Sequence, residues 1–192
     1  VDSNEESLFL NSLKMAIMET TQQTSKQFFN IVKIIHVALL GGTLIFASIV
    51  LYLVSGKPLI TEYRRGFDVF YLMVGAFAIW AIFGSQFMYS SQLKRVQPKH
   101  TLSNKLMHYQ SANIIRYALI EGSALFSIVA ALLTLTLWFF IITLLLSVML
   151  AYHYPSVEKA IRDLHLNIEE QHIIKNPNAV ISDSSTSQNE RY

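Results

Sequence analysis

Between two polar, partly amphipathic flanks, apolar residues fall in long blocks along this chain. Four apolar runs stand out, at about Ile31–Ser55, Asp68–Tyr89, Ala112–Leu133 and Leu137–Tyr154. Runs of about 18 or more apolar residues match a hydrocarbon core ~30 Å thick. The pattern therefore predicts an all-α membrane protein with four transmembrane helices. The third and fourth runs are hard to divide, because Thr134-Leu135-Thr136 holds no Gly, Pro or charge. Length divides them: one helix over 112–154 would reach ~65 Å, twice the core. A tight turn is expected at Thr134–Thr136.

The flanks read differently. Residues 1–27 are polar and partly amphipathic, with Leu8, Leu10, Leu13, Ile17 and Met18, and predict a cytoplasmic or interfacial helix. The membrane domain then covers 28–154. Pro155 and Ser156 restart the chain after the fourth run, and Pro suits a first helical turn. Val157, Ala160, Ile161 and Leu164 recur at helical spacing and predict one cytoplasmic amphipathic helix over 155–174. From residue 175 to 192 the chain is rich in Asn, Ser, Asp and Gln, and disorder is expected.

The first and third runs repeat one another. Residues 34–46 read IIHVALLGGTLIF and residues 114–126 read IIRYALIEGSALF, with six of thirteen positions identical. Each copy opens an apolar run and is followed by another. The reading is two tandem hairpins, at about 28–90 and 108–154, related as parallel repeats about an axis along the membrane normal. Ala38 and Gly42, like Ala118 and Gly122, are small residues four apart. Such pairs let helix backbones approach closely in lipid. The first and third helices are accordingly expected to meet at these four residues.

The one radical difference between the copies is Glu121 in place of Gly41. A carboxyl in a membrane span is expensive, so Glu121 is expected to face the protein interior. Its candidate partners are Lys33, His36, Arg116 and Gln86. Three roles stay open: a structural hydrogen bond between helices, ion or proton carriage, or a contact with a lipid or ligand.

Charge and composition sharpen the picture. Hydrophobic residues make up 52% of the 192 and charged residues only 15%, too few and too segregated to cover a soluble domain. Lys94, Arg95, Lys99, Lys105, Lys159 and Arg162 fall on the side of both termini, against Lys57, Arg64 and Arg65 on the other. The positive-inside rule then places both termini in the cytoplasm. With no cysteine, disulfides and thiol chemistry are excluded. A net charge of +2 with no basic patch outside the loops gives no reason to invoke nucleic acid. His165, Glu169 and His172 share one face of the predicted exit helix, and the Glu-x-x-His spacing makes them the only metal candidates. Such sites draw ligands from several helices, and only one such motif occurs here. No metal, cofactor or catalytic motif is expected.

The run IIRYALIEGSALFSIVAALL and the exit PSVEKAIRDLHL resemble a family of small uncharacterised four-span proteins of Bacteroidota membranes. The resemblance implies a multi-pass protein of a bacterial inner membrane. Locally, residues 114–133 are similar to the proton-carrying helix of the rotor-ring proteolipid subunits of ATP synthases, with Glu121 matching the ion-binding carboxylate. The combined expectation is a non-enzymatic packing or accessory module in the lipid bilayer. It would act in a homo-oligomer or with other membrane proteins. A proton- or ion-linked proteolipid or transporter component using Glu121 is the alternative.

Overall fold

The computed structural model describes residues 23–56, 67–96 and 100–181. Residues 1–22 of the expected N-terminal helix and 182–192 of the expected disordered tail lie outside the described residues. Among the described residues the chain is helical throughout, apart from one isolated bridge between Thr24 and Val180. The elements are α1 (Ser25–Ser55), α2 (Phe67–Ile79), a π-turn (Trp80–Gly84), α3 (Ser85–Lys94), α4 (Leu102–Thr134), α5 (Trp138–Tyr152), α6 (Val157–Leu164) and α7 (Ile168–Lys175).

Three helical runs are long and apolar enough to cross a membrane: α1, the stretch Val69–Lys94, and α4. A fourth counts only if α5 and α6 are taken together across their 80° bend. Alone, α5 has 15 residues and rises about 22 Å, short of the hydrocarbon core. The long helices start earlier than their apolar runs. Thr24 and Gln27 form a reciprocal capping box ahead of α1, and the Thr101 side chain caps α4. At the other end of α4 the chain turns at Leu135, which sits in the left-handed region at φ 53°. The break falls where helix length requires one.

The centre of the bundle is α4. It packs on α1, α2, the π-turn, α3, α5 and α6, whereas α1 leans on α4 and α5 and has almost no contact with α2. The inward face of α4 is small and hydroxylated: Ser123, Ala124, Ser127, Ala130, Ala131 and Thr134 are all buried. Small side chains bring neighbouring backbones close enough for hydroxyls to reach them. The Ser123 hydroxyl donates to the Phe77 carbonyl at 3.1 Å, and the Ser127 hydroxyl donates to the Phe139 carbonyl at 2.8 Å.

Equivalent positions of the two similar segments share much of their burial. His36 and Arg116 are both buried, as are Thr43 and Ser123. Ala38 and Ala118, with Gly42 and Gly122, are all exposed. The expected meeting of α1 and α4 at these four small residues is therefore corrected. The contact is made instead by Val50 and Val54 against Ile128, and by Leu39 and Leu40 against the Tyr117–Ile120 region. α4 is the more buried of the two: Tyr117, Ala124, Ile128 and Ala131 are buried where Val37, Leu44, Ser48 and Leu51 are exposed.

At the end of the bundle where both described chain ends lie, a water-soluble style of core takes over. Phe28, Phe29 and Val32 of α1, with Leu102, Leu106 and Tyr109 of α4, are covered by Ala160, Leu164, Leu166 and Ile174. The single helix expected over 155–174 is two helices. His165 takes a left-handed conformation (φ 51°), and the Leu166 N–H bonds the Ile161 carbonyl, the Schellman way of ending a helix. Asn167 and Glu170 then cap α7 reciprocally. The chain expected to be disordered from residue 175 is ordered through Ile181. The Ser25 N–H donates to the Ala179 carbonyl at 3.0 Å, and the Ile181 N–H to the Gln23 carbonyl at 2.9 Å.

Lys105 and Glu170 lock this cap with a buried ion pair at 2.6 Å. Removing one partner of such a pair costs about 3–5 kcal/mol, because the other charge stays buried alone. Lys105→Met is expected to destabilise the cap on that scale, read as earlier denaturant unfolding in detergent and faster proteolysis after Lys175. Glu170→Gln in the same chain removes the stranded charge, and the double variant is expected to recover most of the loss. A double variant no more stable than Lys105→Met would show that the pair does not hold the cap.

Candidate functional site

Above the cap, side chains from five elements meet in a polar network whose centre is Arg116 of α4. Arg116 is only 6% exposed. One guanidinium nitrogen donates to the Asn113 side-chain oxygen at 2.6 Å, and the Asn113 amide donates to the Tyr109 carbonyl at 2.8 Å. The guanidinium lies 3.8 Å from the centre of the Tyr89 ring of α3, a desolvated cation–π contact on the order of 2 kcal/mol. The Tyr89 hydroxyl in turn donates to the Asp163 carboxylate of α6 at 2.6 Å. The nearest link from Arg116 to a carboxylate thus runs through a tyrosine ring. The Arg116 Nε is buried with no hydrogen-bond partner among the described residues.

Two histidines flank this centre. His36 of α1 is 1% exposed, packs edge-on against Tyr117 at 4.8 Å and Tyr154 at 5.5 Å, and buries its Nδ1 unpartnered among the described residues. His153 follows α5. Its Nδ1–H donates to the Met149 carbonyl at 2.7 Å, which leaves Nε2 to accept from the Gln86 amide at 2.8 Å. The Tyr117 hydroxyl donates to the His153 carbonyl at 3.0 Å. Between α5 and α6 the backbone is unwound, and Lys159 serves its carbonyls: Nζ donates to those of Tyr152 and Tyr154, both at 2.9 Å. Burial first, then the Arg116 and Arg162 guanidiniums, pull the Lys159 ammonium below the ordinary lysine value.

Four of the five residues singled out in the sequence thus come together: Arg116 at the centre, His36 through the Tyr117 ring between them, Gln86 through His153, and Lys33 over the Tyr154 ring at 5.8 Å. They gather around Arg116 and not around Glu121. Glu121, expected to face the protein interior, is half-buried at the edge of the packed face of α4, with no hydrogen bond or ion pair among the described residues. That face runs from Ser123 through Arg116 and Ser127 to Tyr117 and Ile128. A residue five places after Arg116 and four after Tyr117 lies some 140° from the first and about 40° from the second, just beyond the buried arc. His165 belongs to the end of α6, while Glu169 and His172 lie exposed on α7. Among the described residues no three His, Asp or Glu side chains are grouped to hold a metal. Sequence reasoning missed Tyr89, Asn113, His153 and Asp163. The buried cation was the available signal, since it obliges acceptors and ring faces to surround it.

Comparison with protein families, curated proteins and solved structures finds no match to this chain.

Tyr89→Phe keeps the ring under Arg116 and removes the bond to Asp163. A hydrogen bond to a charged group contributes about 1.5–3 kcal/mol, and a stability loss of that size is expected in detergent unfolding. Arg116→Lys gives up both the planar stack and the bond to Asn113, and is expected to cost more than Tyr89→Phe. A smaller loss for the lysine variant would mean that the stack is not what holds α3 to α4.

Proposed function

We propose that this chain is a non-enzymatic integral protein of a bacterial inner membrane. It crosses four times as two tandem hairpins, keeps both termini in the cytoplasm, and acts as a packing or accessory module in a homo-oligomer or larger membrane complex. The observation that carries the reading is Glu121, half-buried at the edge of the packed face of α4 and unpartnered among the described residues, with Ala118 and Gly122 exposed beside it. A carboxyl left facing lipid costs ~2.5–3.5 kcal/mol even on the mild insertion scale. A neighbouring protein that hydrogen-bonds it removes that cost. Exposed small residues allow the close backbone approach on which association in lipid depends.

The four-span part has its own support. Residue 25 and residue 174 adjoin, the Ser25 hydroxyl donating to the Ile174 carbonyl at 2.6 Å. A chain that leaves and returns to one end crosses an even number of times. Three long helices therefore require α5 as the return, its short length being made up by the unwound segment 153–156. The shared burial of His36 with Arg116, and of Thr43 with Ser123, favours the duplication.

A second reading, ion or proton carriage by Glu121, is favoured by the same exposure, because a carrier must be reached from outside the bundle.

The chain has no cysteine, so single cysteines report cleanly. Cysteines replacing Gly42 or Gly122 are expected to cross-link between copies on oxidation in membranes, since a disulfide needs Cα atoms within about 7 Å. A cysteine replacing the exposed Leu72 of α2 is expected not to. Monomers throughout would refute assembly through this face. Glu121→Gln separates the readings. Under assembly it keeps the cross-link while Glu121→Leu weakens it. Under carriage it abolishes labelling by a hydrophobic carbodiimide together with proton uptake in proteoliposomes, and leaves assembly alone.

A further inference from the structure

The outer edge of the Arg116 network is a corner where α1 meets the unwound junction of α5 and α6. Two ammonium groups flank one residue there. Lys33 stands over the ring of Tyr154 at 5.8 Å, and Lys159 bonds its carbonyl at 2.9 Å. Lys159 also lies 5.5 Å from the centre of the Tyr152 ring, and Tyr152 is 79% exposed. Lys33 makes no hydrogen bond among the described residues, and Lys159 has one N–H left after its two carbonyls. Behind the corner lie the unpartnered buried Nδ1 of His36 and Nε of Arg116. Two carboxylates are near. Asp163 is taken by Tyr89 and by Arg162; Glu158 is held by its own backbone N–H and the Ser156 hydroxyl at the start of α6 and attracts Lys33 without pairing with it. Against Lys33, Lys159, Arg116 and Arg162, these two carboxylates leave positive charge in excess.

We propose that the Lys33–Tyr154–Lys159 corner binds the phosphate of an anionic membrane lipid from the leaflet on the side of the chain ends. The neighbouring surface argues for a lipid over a free anion. Ile34 and Val37, next to Lys33 and one turn past it on α1, and Val148 and Leu145, one and two turns before Tyr152 on the same side of α5, are all more than half exposed. A single molecule with a phosphate and acyl chains satisfies the ammoniums and covers these side chains. Basic pockets between helices at a membrane face are suited to anionic headgroups, and tyrosines sit at headgroup depth. The proposal rests on the membrane reading and not on assembly through α1 and α4.

Native mass spectrometry of the full chain, released from nanodiscs of mixed phosphatidylglycerol and phosphatidylcholine, tests it. Wild type is expected to retain phosphatidylglycerol in preference. Lys33→Gln, which removes no hydrogen bond from the fold, is expected to lower that preference roughly fivefold, the scale of one lysine near an anionic surface. Lys33→Gln with Lys159→Gln is expected to abolish it, while Lys26→Gln, a lysine in the first turn of α1, leaves it unchanged. Lys159→Arg keeps the charge and is expected to keep the preference, which separates lipid binding from damage to the 153–156 backbone. Equal retention of both lipids, or an unchanged preference in Lys33→Gln, overturns the proposal. Displacement of the lipid by millimolar inorganic phosphate overturns the lipid in favour of a free anion.

Discussion

A guanidinium is buried at one end of this bundle, and what takes the place of its solvent dictates what surrounds it. Arg116 is buried and has no direct carboxylate among the described residues. It has the oxygen of Asn113 one turn back, the face of Tyr89, and through the Tyr89 hydroxyl the charge of Asp163. These groups come from α4, α3 and α6. Bringing Asp163 to Tyr89 requires α6 to fold back across the bundle, which requires α5 to stop and the chain to unwind before Val157. The freed carbonyls at Tyr152 and Tyr154 then need a donor, and Lys159 supplies it. The bend, the cap helices and the cation beneath them form one linked arrangement. At the opposite end the contacts are apolar packing with a few hydroxyls to backbone, as where Val50 and Val54 meet Ile128.

Much of the architecture was legible in the sequence because it follows from length. Apolar runs set the long helices, and the impossibility of a single helix over 112–154 demanded the break that occurs at Leu135. Direction was not legible. α4 carries small residues on both sides, Ala118 and Gly122 outward, Ser123, Ser127 and Ala130 inward. A rule that looks for small residues four apart finds both faces and cannot rank them. The ranking comes from the hydroxyls, which reach the carbonyls of α2 and α5, and from Arg116, which has to be buried among acceptors and rings. Both are properties of partners distant in sequence. The end of α6 at His165 was more accessible: Asn167 and Glu170 are spaced as a capping box and announce a new helix. Periodicity over 157–164 obscured it, because the apolar face continues through Leu166 into the same core.

The two similar segments put the unusual carboxyl in perspective. Both bury the same side, so positions Gly41 and Glu121 fall at the same place on their helices, half-buried at the edge of the packing face. The residues in which α4 is more buried than α1, Tyr117, Ala124, Ile128 and Ala131 among them, lie on its inner side. Glu121 is not one of them. It makes no bond inside the chain among the described residues, and nothing lies within 4 Å of where a Cβ would stand on Gly41, so the monomer neither uses the carboxyl nor excludes one at the equivalent place. The protein thus has two chemically distinct polar features: a network where the described chain ends meet, centred on Arg116, that leaves His36 Nδ1 and Arg116 Nε without partners among the described residues, and a carboxyl further along α4 that the chain itself leaves unpaired.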